Sequence, residues 1–369
     1  MSEAASNHIA IMHTQEVRFF GSSRFNSVGT HEPISHLEGL FANLIRTGAI
    51  TRAKDTATLA ISVVTAQGQL MRTDIDHLPG QKQKELQAAV RILFEEFAAA
   101  IGNTTAPWKK QGRILKVILY GSYARGDWVD DPVGGYKSDY DLLVVVNDER
   151  LSDVVDYWAT ADDRLMREMT ITQTLSAPVS FIVHSLKDVN KQLEQGRPFF
   201  TDIAAQGIAL YEAEGFPFAT PTKLAPDAAR AEAQKHFDFW FEQADSAGSG
   251  AVFFCQEGRT RDAAFLMHQA TERLYHCVML AFTLYSPKSH KLGFLRGHAE
   301  EIAPELIEAW PRDNRFSRRC FELLRQAYVN ARYSPHYKIS VEELTWLGER
   351  VAVLQDLVRR VCEKRLAEQ

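Results

Sequence analysis

The residue pattern of this chain changes character once, at EAEGFPFATPTKLAPDA (212–228). Pro217, Pro221 and Pro226 stand there among small residues, a composition that interrupts helices and strands and suits a linker. Ahead of it, apolar β-branched runs alternate with helical periods. Beyond it nearly every stretch has helical spacing. Such a chain is expected to fold as α+β, a sheet with helices packed on it followed by an all-α bundle. The length, 369 residues, fits about two domains at roughly 150 residues each.

The elements can be placed coarsely. KQKELQAAVRILFEEFAAAIG, to Gly102, has Leu86, Val90, Leu93, Phe94, Phe97 and Ile101 at helical spacing. RILKVILY (113–120), SDYDLLVVV (138–146) and APVSFIVHS (177–185) read as strands, a helix is expected over 149–168, and GIALYE (207–212) completes the unit. Past the linker, helices are expected over 228–246, 259–285, 289–302, 316–331 and 341–367. Residues 1 to about 35 show no sustained period. HLEGLFANLIRTG reads as a short helix ending at Gly48, and ATLAISVVTA fits a helix or a buried strand.

Composition excludes several classes. Hydrophobic residues make up 45% and charged residues 24%, enough for real cores. The net charge of -5 leaves no chain-wide basic footprint for nucleic acid. No apolar run approaches the roughly 20 residues that span a bilayer, and no basic segment followed by an apolar one opens the chain. No membrane partner and no signal peptide are therefore expected. Cys255, Cys277, Cys320 and Cys362 are far apart with no CxxC pair, which fits reduced thiols and a cytoplasmic location.

The stretch with the most chemistry is Gly121-Ser122 after the first strand, followed by Ser138-Asp139-Tyr140-Asp141 on the next. Gly121 lets the backbone approach a ligand closely, and Ser122 offers an N–H and a hydroxyl suited to phosphate oxygens. Asp139 and Asp141 are two apart, which on a strand puts both carboxylates on one face. Paired carboxylates suit Mg²⁺ bridging nucleotide phosphates. Arg125 lies just past the turn, placed either for a bidentate phosphate contact or as a solvated arginine.

The order strand, GS turn, short helix, DxD strand resembles the nucleotidyltransferase superfamily of DNA polymerase β. GSYARG with SDYDLLVVV is most similar to its minimal and kanamycin-type members. The resemblance implies triphosphate contacts at Gly121 and Ser122, metal at Asp139 and Asp141, and an NTP substrate, ATP first. The family usually adds a third carboxylate on a later strand. Here the matching position is Ser180 or a non-acidic neighbour, and no Asp or Glu occurs between Glu168 and Asp188. Asp127, Asp130 and Asp131 are candidate substitutes, or solvated loop acids.

FLMHQATERLYHCVML (265–280), KSHKLGFL (288–295) and AYVNARYSPHYKIS (327–340) resemble the HEPN family of helical domains. The resemblance implies a nucleotide- or partner-binding module, with RNA as a further partner and a homodimer as the assembly. RNase members carry an Arg and a His at longer spacing than Arg332 and His336, which have three residues between them. Arg332, His336 and Tyr337 are the candidate site here, set against a helix end broken by Pro335. His268, Glu272 and His276 share one helical face and read as a polar stripe bordering the core, with Glu272 pairing a neighbour. His290 reads as a capping or packing residue.

The resemblances divide the chain into an N-terminal extension (1–70), a transferase domain (71–212), a linker (213–227) and a HEPN bundle (228–369). The similarity begins near MRTDIDHLPGQKQKEL, so translation is expected to start at Met71, or 1–70 to be loosely attached. The expected activity is Mg²⁺-dependent transfer of NMP, AMP first, to a hydroxyl of a small molecule or protein. The alternatives are a fused toxin–antitoxin-like pair, in which the transferase AMPylates Tyr337 or Tyr333 of a HEPN RNase, and a non-catalytic nucleotide sensor.

Overall fold

The computed structural model describes residues 17–19, 71–102, 104–131 and 136–368. The helix ending at Gly48 and the apolar ATLAISVVTA run lie outside the described residues; within 1–70 the described residues are Val17–Phe19. The chain divides into two compact units. The first takes residues up to Gly126 together with 141–190 and 206–219, and the second takes 127–140, 191–205 and 220–369.

The first unit is built on a five-stranded sheet. Its strands are β1 (Val17–Phe19), β2 (Ile114–Tyr120), β5 (Tyr140–Val146), β6 (Val179–Ser185) and β7 (Ile208–Ala213), in the order β1-β7-β2-β5-β6. β7 pairs antiparallel with β1 and β2, β2 pairs antiparallel with β5, and an isolated parallel bridge joins Arg72 to Ile208. β2 and β5 are buried along their whole length, the charged Lys116 and Asp141 included. The Gly80–Gly102 helix buries Leu86, Val90, Leu93 and Phe97. Phe97 stacks on Trp158 at 4.9 Å, and Phe94 meets Tyr211 edge-on at 4.8 Å.

One polar pair is sunk in this core. Lys116 on β2 is almost fully buried and forms an ion pair with Glu212, its register partner on β7. Burial pushes the Lys116 ammonium below the ordinary lysine range, while the Glu212 charge pulls it back. The Phe218 ring, its centroid 4.8 Å from Nζ, covers the pair.

The single helix expected over 149–168 is three short pieces: a 3₁₀ turn Glu149–Ser152, Val154–Tyr157 and Ala159–Thr170. Aspartates cap the first two pieces, and the third begins after Trp158 without a side-chain cap. Asp148 accepts from Arg150 N at 3.0 Å and Asp153 from Asp156 N at 2.9 Å, each opening a new turn. The indole of Trp158 donates to Leu151 O at 2.8 Å and fixes the join.

The second unit is mostly helical: Pro226–Gln256, Thr260–Thr283, Leu292–Ile302, Arg315–Tyr333 and Val341–Glu368 around one core. The first of these runs past its expected end at 246, through Gly248 and Gly250. A Cβ on Gly250 would stand 2.8 Å from Leu266 Cδ1, so this glycine lets the Thr260–Thr283 helix pack close. Two stretches of the sheet-forming sequence belong to this unit. Residues 127–140 carry the hairpin of β3 (Asp130–Asp131) and β4 (Tyr136–Lys137). In residues 191–205, Phe199 stacks on Tyr285 at 4.2 Å and Arg197 pairs with Glu232 at 2.5 Å. Between β7 and Pro226 the chain has neither helix nor strand, and Thr222 N donates to Leu193 O at 3.0 Å.

Candidate functional site

β2 leads directly into the Gly121–Arg125 helix. Gly121 has a φ of +72°, a left-handed conformation that side chains disfavour, and it turns the chain at the strand end. Gly126, at +88°, closes the helix, its N–H donating to Ser122 O at 2.8 Å. Tyr120 is the register partner of Asp141, which brings the Asp141 side chain over the turn. A Cβ on Gly121 would stand 2.5 Å from Asp141 Oδ2. Asp141 is 3% exposed and Ser122, the residue after Gly121, is buried as well, whereas Arg125 is exposed.

Asp139 is placed differently from expectation. β5 begins at Tyr140, so Asp139 lies one residue outside the strand and is half-buried. Ser138 is taken up by the preceding segment. Its N–H donates to Val129 O at 2.8 Å and its hydroxyl accepts from Val129 N at 2.9 Å, which ends strand pairing before residue 140.

Several residues that hold the turn were missed by sequence reasoning. His77 Nε2 contacts Tyr123 O at 2.8 Å, Arg72 Nη1 donates to Ala124 O at 3.4 Å, and the Lys82 ammonium lies 5.6 Å from the Tyr123 ring centroid. Lys82 donates to Ser176 Oγ at 2.7 Å, and the buried Glu85 accepts from Ser176 N at 3.0 Å. This clasp ties the last carbonyls of the GS helix to the segment ahead of the long helix, and the Tyr123 ring to Lys82 on that helix. Its only sequence signal is that MRTDIDHLPGQKQKEL opens the family resemblance. On β6, beside β5, Ser180 is buried and the strand carries no carboxylate.

In the helical unit, Arg332 stacks over Tyr328 at 4.4 Å, Phe265 at 4.9 Å and Tyr333 at 5.0 Å, and its Nε donates to Tyr328 O at 2.6 Å. His336 is exposed in the turn that follows and is not among the partners of Arg332. Tyr337 is 6% exposed, its hydroxyl donates to Leu323 O at 3.0 Å, and burial pushes its phenol well above the ordinary range. The polar stripe is a buried network centred on Glu272. His290 Nδ1 lies 2.9 Å and His268 Nδ1 3.5 Å from its carboxylate, and His290 stacks on Tyr328 at 4.4 Å. Among the described residues, no group of three or more His, Cys, Asp or Glu side chains forms a metal site.

Residues 104–212 match the family model described as polymerase beta, nucleotidyltransferase, and residues 237–361 match the HEPN domain model. The chain carries a nucleotidyltransferase domain followed by a HEPN domain. No curated protein matches it. The GS turn, Asp139, Asp141 and Ser180 all fall within the transferase match, and Arg332 and His336 within the HEPN match. Among the described residues no helix is long and apolar enough to cross a membrane, and all four cysteines are free thiols.

Proposed function

We propose that the chain transfers a nucleoside monophosphate, AMP, from a nucleoside triphosphate to a hydroxyl of a small molecule or protein. The supporting observation is the approach of Gly121 to Asp141 inside the stretch that matches the nucleotidyltransferase model. The acceptor oxygen bonds to the α-phosphorus as the bond to pyrophosphate breaks, and the hydroxyl proton is released to solvent. The Gly121 backbone and Ser122 bind polyphosphate oxygens, and Arg125, exposed beside them, adds a charged contact. Asp139 and Asp141 hold Mg²⁺. The donor set suits it, because Mg²⁺ is commonly held by one or two carboxylates completed by substrate phosphates. Bound there, the ion supplies neutralisation of charge developing on the phosphoryl group. In this reading residues 71–212 perform the transfer and 228–369 form the helical module, joined through 213–227.

The test is pyrophosphate release by the full chain with Mg²⁺ and each of the four NTPs. Asp141→Ala and Asp139→Ala are expected to lose about a hundredfold or more in rate. Equal release by wild type and Asp141→Ala rejects the reading.

Exposure at the end of the Arg315–Tyr333 helix favours a second reading, self-modification. Tyr333 is 72% exposed, whereas Tyr337 is buried, so the acceptor phenol is that of Tyr333. Peptide mapping after incubation with labelled ATP tests it. Label on Tyr333, absent in Asp141→Ala, supports it, and unlabelled protein rejects it.

A further inference from the structure

The five-residue Gly121–Arg125 helix carries the GS turn at one end and stops before its last carbonyls meet helix donors. Side chains from the segment ahead of the Gly80–Gly102 helix meet those carbonyls instead. His77 Nε2 lies 2.8 Å from Tyr123 O, and Arg72 Nη1 donates to Ala124 O at 3.4 Å. Arg72 Nη2 also lies 2.7 Å from His77 Nδ1. These contacts fix the tautomer of the imidazole. A carbonyl only accepts, so Nε2 carries the hydrogen, and a guanidinium only donates, so Nδ1 presents its lone pair. His77 thus accepts from Arg72 and donates to the helix end. Its ring lies against the residue that closes the helix, where a Cβ on Gly126 would stand 3.5 Å from Cδ2. The segment that carries this relay is itself anchored. Ala209 N on β7 donates to Arg72 O at 2.9 Å, and Gln83 Nε2 donates to Ile75 O at 3.2 Å and to Leu78 O at 2.9 Å.

We propose that His77, as this Nε2–H tautomer, is a positioning residue that holds the Gly121–Ser122 turn in its triphosphate-binding geometry. The inference rests on the transferase reading, in which the Gly121 backbone and Ser122 bind polyphosphate oxygens. β2 fixes the turn from one side, and His77 with Arg72 fixes the helix from the other, against β7. All of these residues belong to one compact unit. The tolerance is small, because Gly121 already stands where a Cβ would be 2.5 Å from Asp141 Oδ2. A helix end released from His77 shifts the turn, and misplacement of such a group by about 1 Å can cost a hundredfold.

The experiment uses the full chain and measures KM for ATP and kcat in pyrophosphate release for wild type, His77→Leu, His77→Gln and Lys116→Ala, with thermal unfolding of each. His77→Leu keeps the bulk and removes both hydrogen bonds. The expected result is a roughly tenfold rise in KM, the worth of one or two hydrogen bonds. kcat stays within about threefold of wild type, since the turn holds polyphosphate in the ground and transition states alike. His77→Gln, whose amide donates to Tyr123 O while its carbonyl accepts from Arg72, recovers most of the loss. Lys116→Ala, destabilised in the same sheet but away from the clasp, keeps the wild-type KM. An unchanged KM in His77→Leu overturns the inference. So does a glutamine variant that recovers nothing, or an equal rise in Lys116→Ala, which assigns the effect to stability. The wild-type ring gives a check that needs no folded leucine variant. Long-range ¹H–¹⁵N spectra, with the His77 signals assigned by their loss in His77→Gln, should show hydrogen on Nε2 and none on Nδ1, and the opposite tautomer overturns the inference. Failure of the transferase reading looks different, because wild type and Asp141→Ala are then equally inert. In that event ATP affinity is measured by titration calorimetry. Weaker binding in His77→Leu than in wild type and His77→Gln sustains the inference, and equal binding, or none in any, overturns it.

Discussion

Gly121 and Asp141 approach so closely that the glycine has no room for a side chain. An added Cβ would stand 2.5 Å from Oδ2 and 3.3 Å from Cγ of the aspartate, on a backbone already at a φ of +72°. Gly121→Ala therefore carries two penalties. The left-handed conformation costs about 1–2 kcal/mol for a residue with a Cβ, and the carboxylate is pushed aside. Unfolding should move down by several degrees at roughly 2–4 °C per kcal/mol. Turnover should fall far more, on the order of a hundredfold, since displacing a catalytic group by about 1 Å has that effect. Calorimetry and pyrophosphate release on the same preparation check both. Full activity in the alanine variant would remove Asp141 from the reaction.

The buried pair of Lys116 and Glu212 calls for a different comparison. Truncating one partner strands the other charge inside the sheet, at about 3–5 kcal/mol. Lys116→Ala should lose that much in urea unfolding. Lys116→Met combined with Glu212→Leu should recover nearly all of it, because the desolvation penalty disappears together with the attraction. Phe218 covers the site and offers an apolar lid for the replacement. If the double variant were as unstable as the single one, the pair would be contributing stability rather than merely compensating for its own burial.

What was legible in the sequence was whatever local pattern decides. β2, as ILKVILY, is apolar apart from Lys116 and rich in Ile and Val, and was recognisable within a residue of its observed start. The GS turn was readable because a glycine at a strand end has a conformational meaning of its own. The change to an all-helical pattern after residue 212 marked out the bundle. The failures came where a side chain acts on backbone that periodicity does not describe. Asp153 restarts the helix over 149–168, and Ser138 is drawn into the preceding hairpin, leaving Asp139 outside the strand. The clasp of Arg72, His77, Lys82 and Glu85 joins positions far apart in the chain, and no local spacing announces it.

Gly248 and Gly250 read alike in the sequence, as reasons to end a helix, yet their surroundings differ. A Cβ on Gly248 meets nothing within 4 Å, while one on Gly250 stands 2.8 Å from Leu266 Cδ1. Gly248→Ala should stabilise the bundle by about 0.5–1 kcal/mol, the helix-propensity difference alone. Gly250→Val should destabilise it by about 1–3 kcal/mol through overpacking against the Thr260–Thr283 helix. Urea midpoints of the two variants should therefore move in opposite directions. A shift of the same sign in both would contradict the close approach at Gly250.

The bundle should also weaken in mild acid, through His268 and His276. Burial, reinforced by the charge of His290, holds each imidazole down at about 4 against an ordinary value of 6.5. A base with a depressed folded value stays neutral in the fold while the unfolded chain takes up a proton. Stability therefore falls as the pH drops from about 6.5 to about 4, by roughly 3 kcal/mol for each histidine at 1.36 kcal/mol per pH unit. Around His268 stand Glu272, His290, Arg332 and the Tyr328 ring; around His276 stand Glu272, His290, Ser286 and the Trp240 ring. Glu272 works in the opposite direction. Burial raises its carboxyl above the usual range, so its protonation in the fold adds stability as the pH falls and offsets part of the loss. Urea unfolding followed by circular dichroism at pH 7 and pH 4.5 should show the net decline, and His268→Leu should flatten it. An identical pH slope in the leucine variant would mean that His268 takes up its proton in the native bundle as readily as in the unfolded chain.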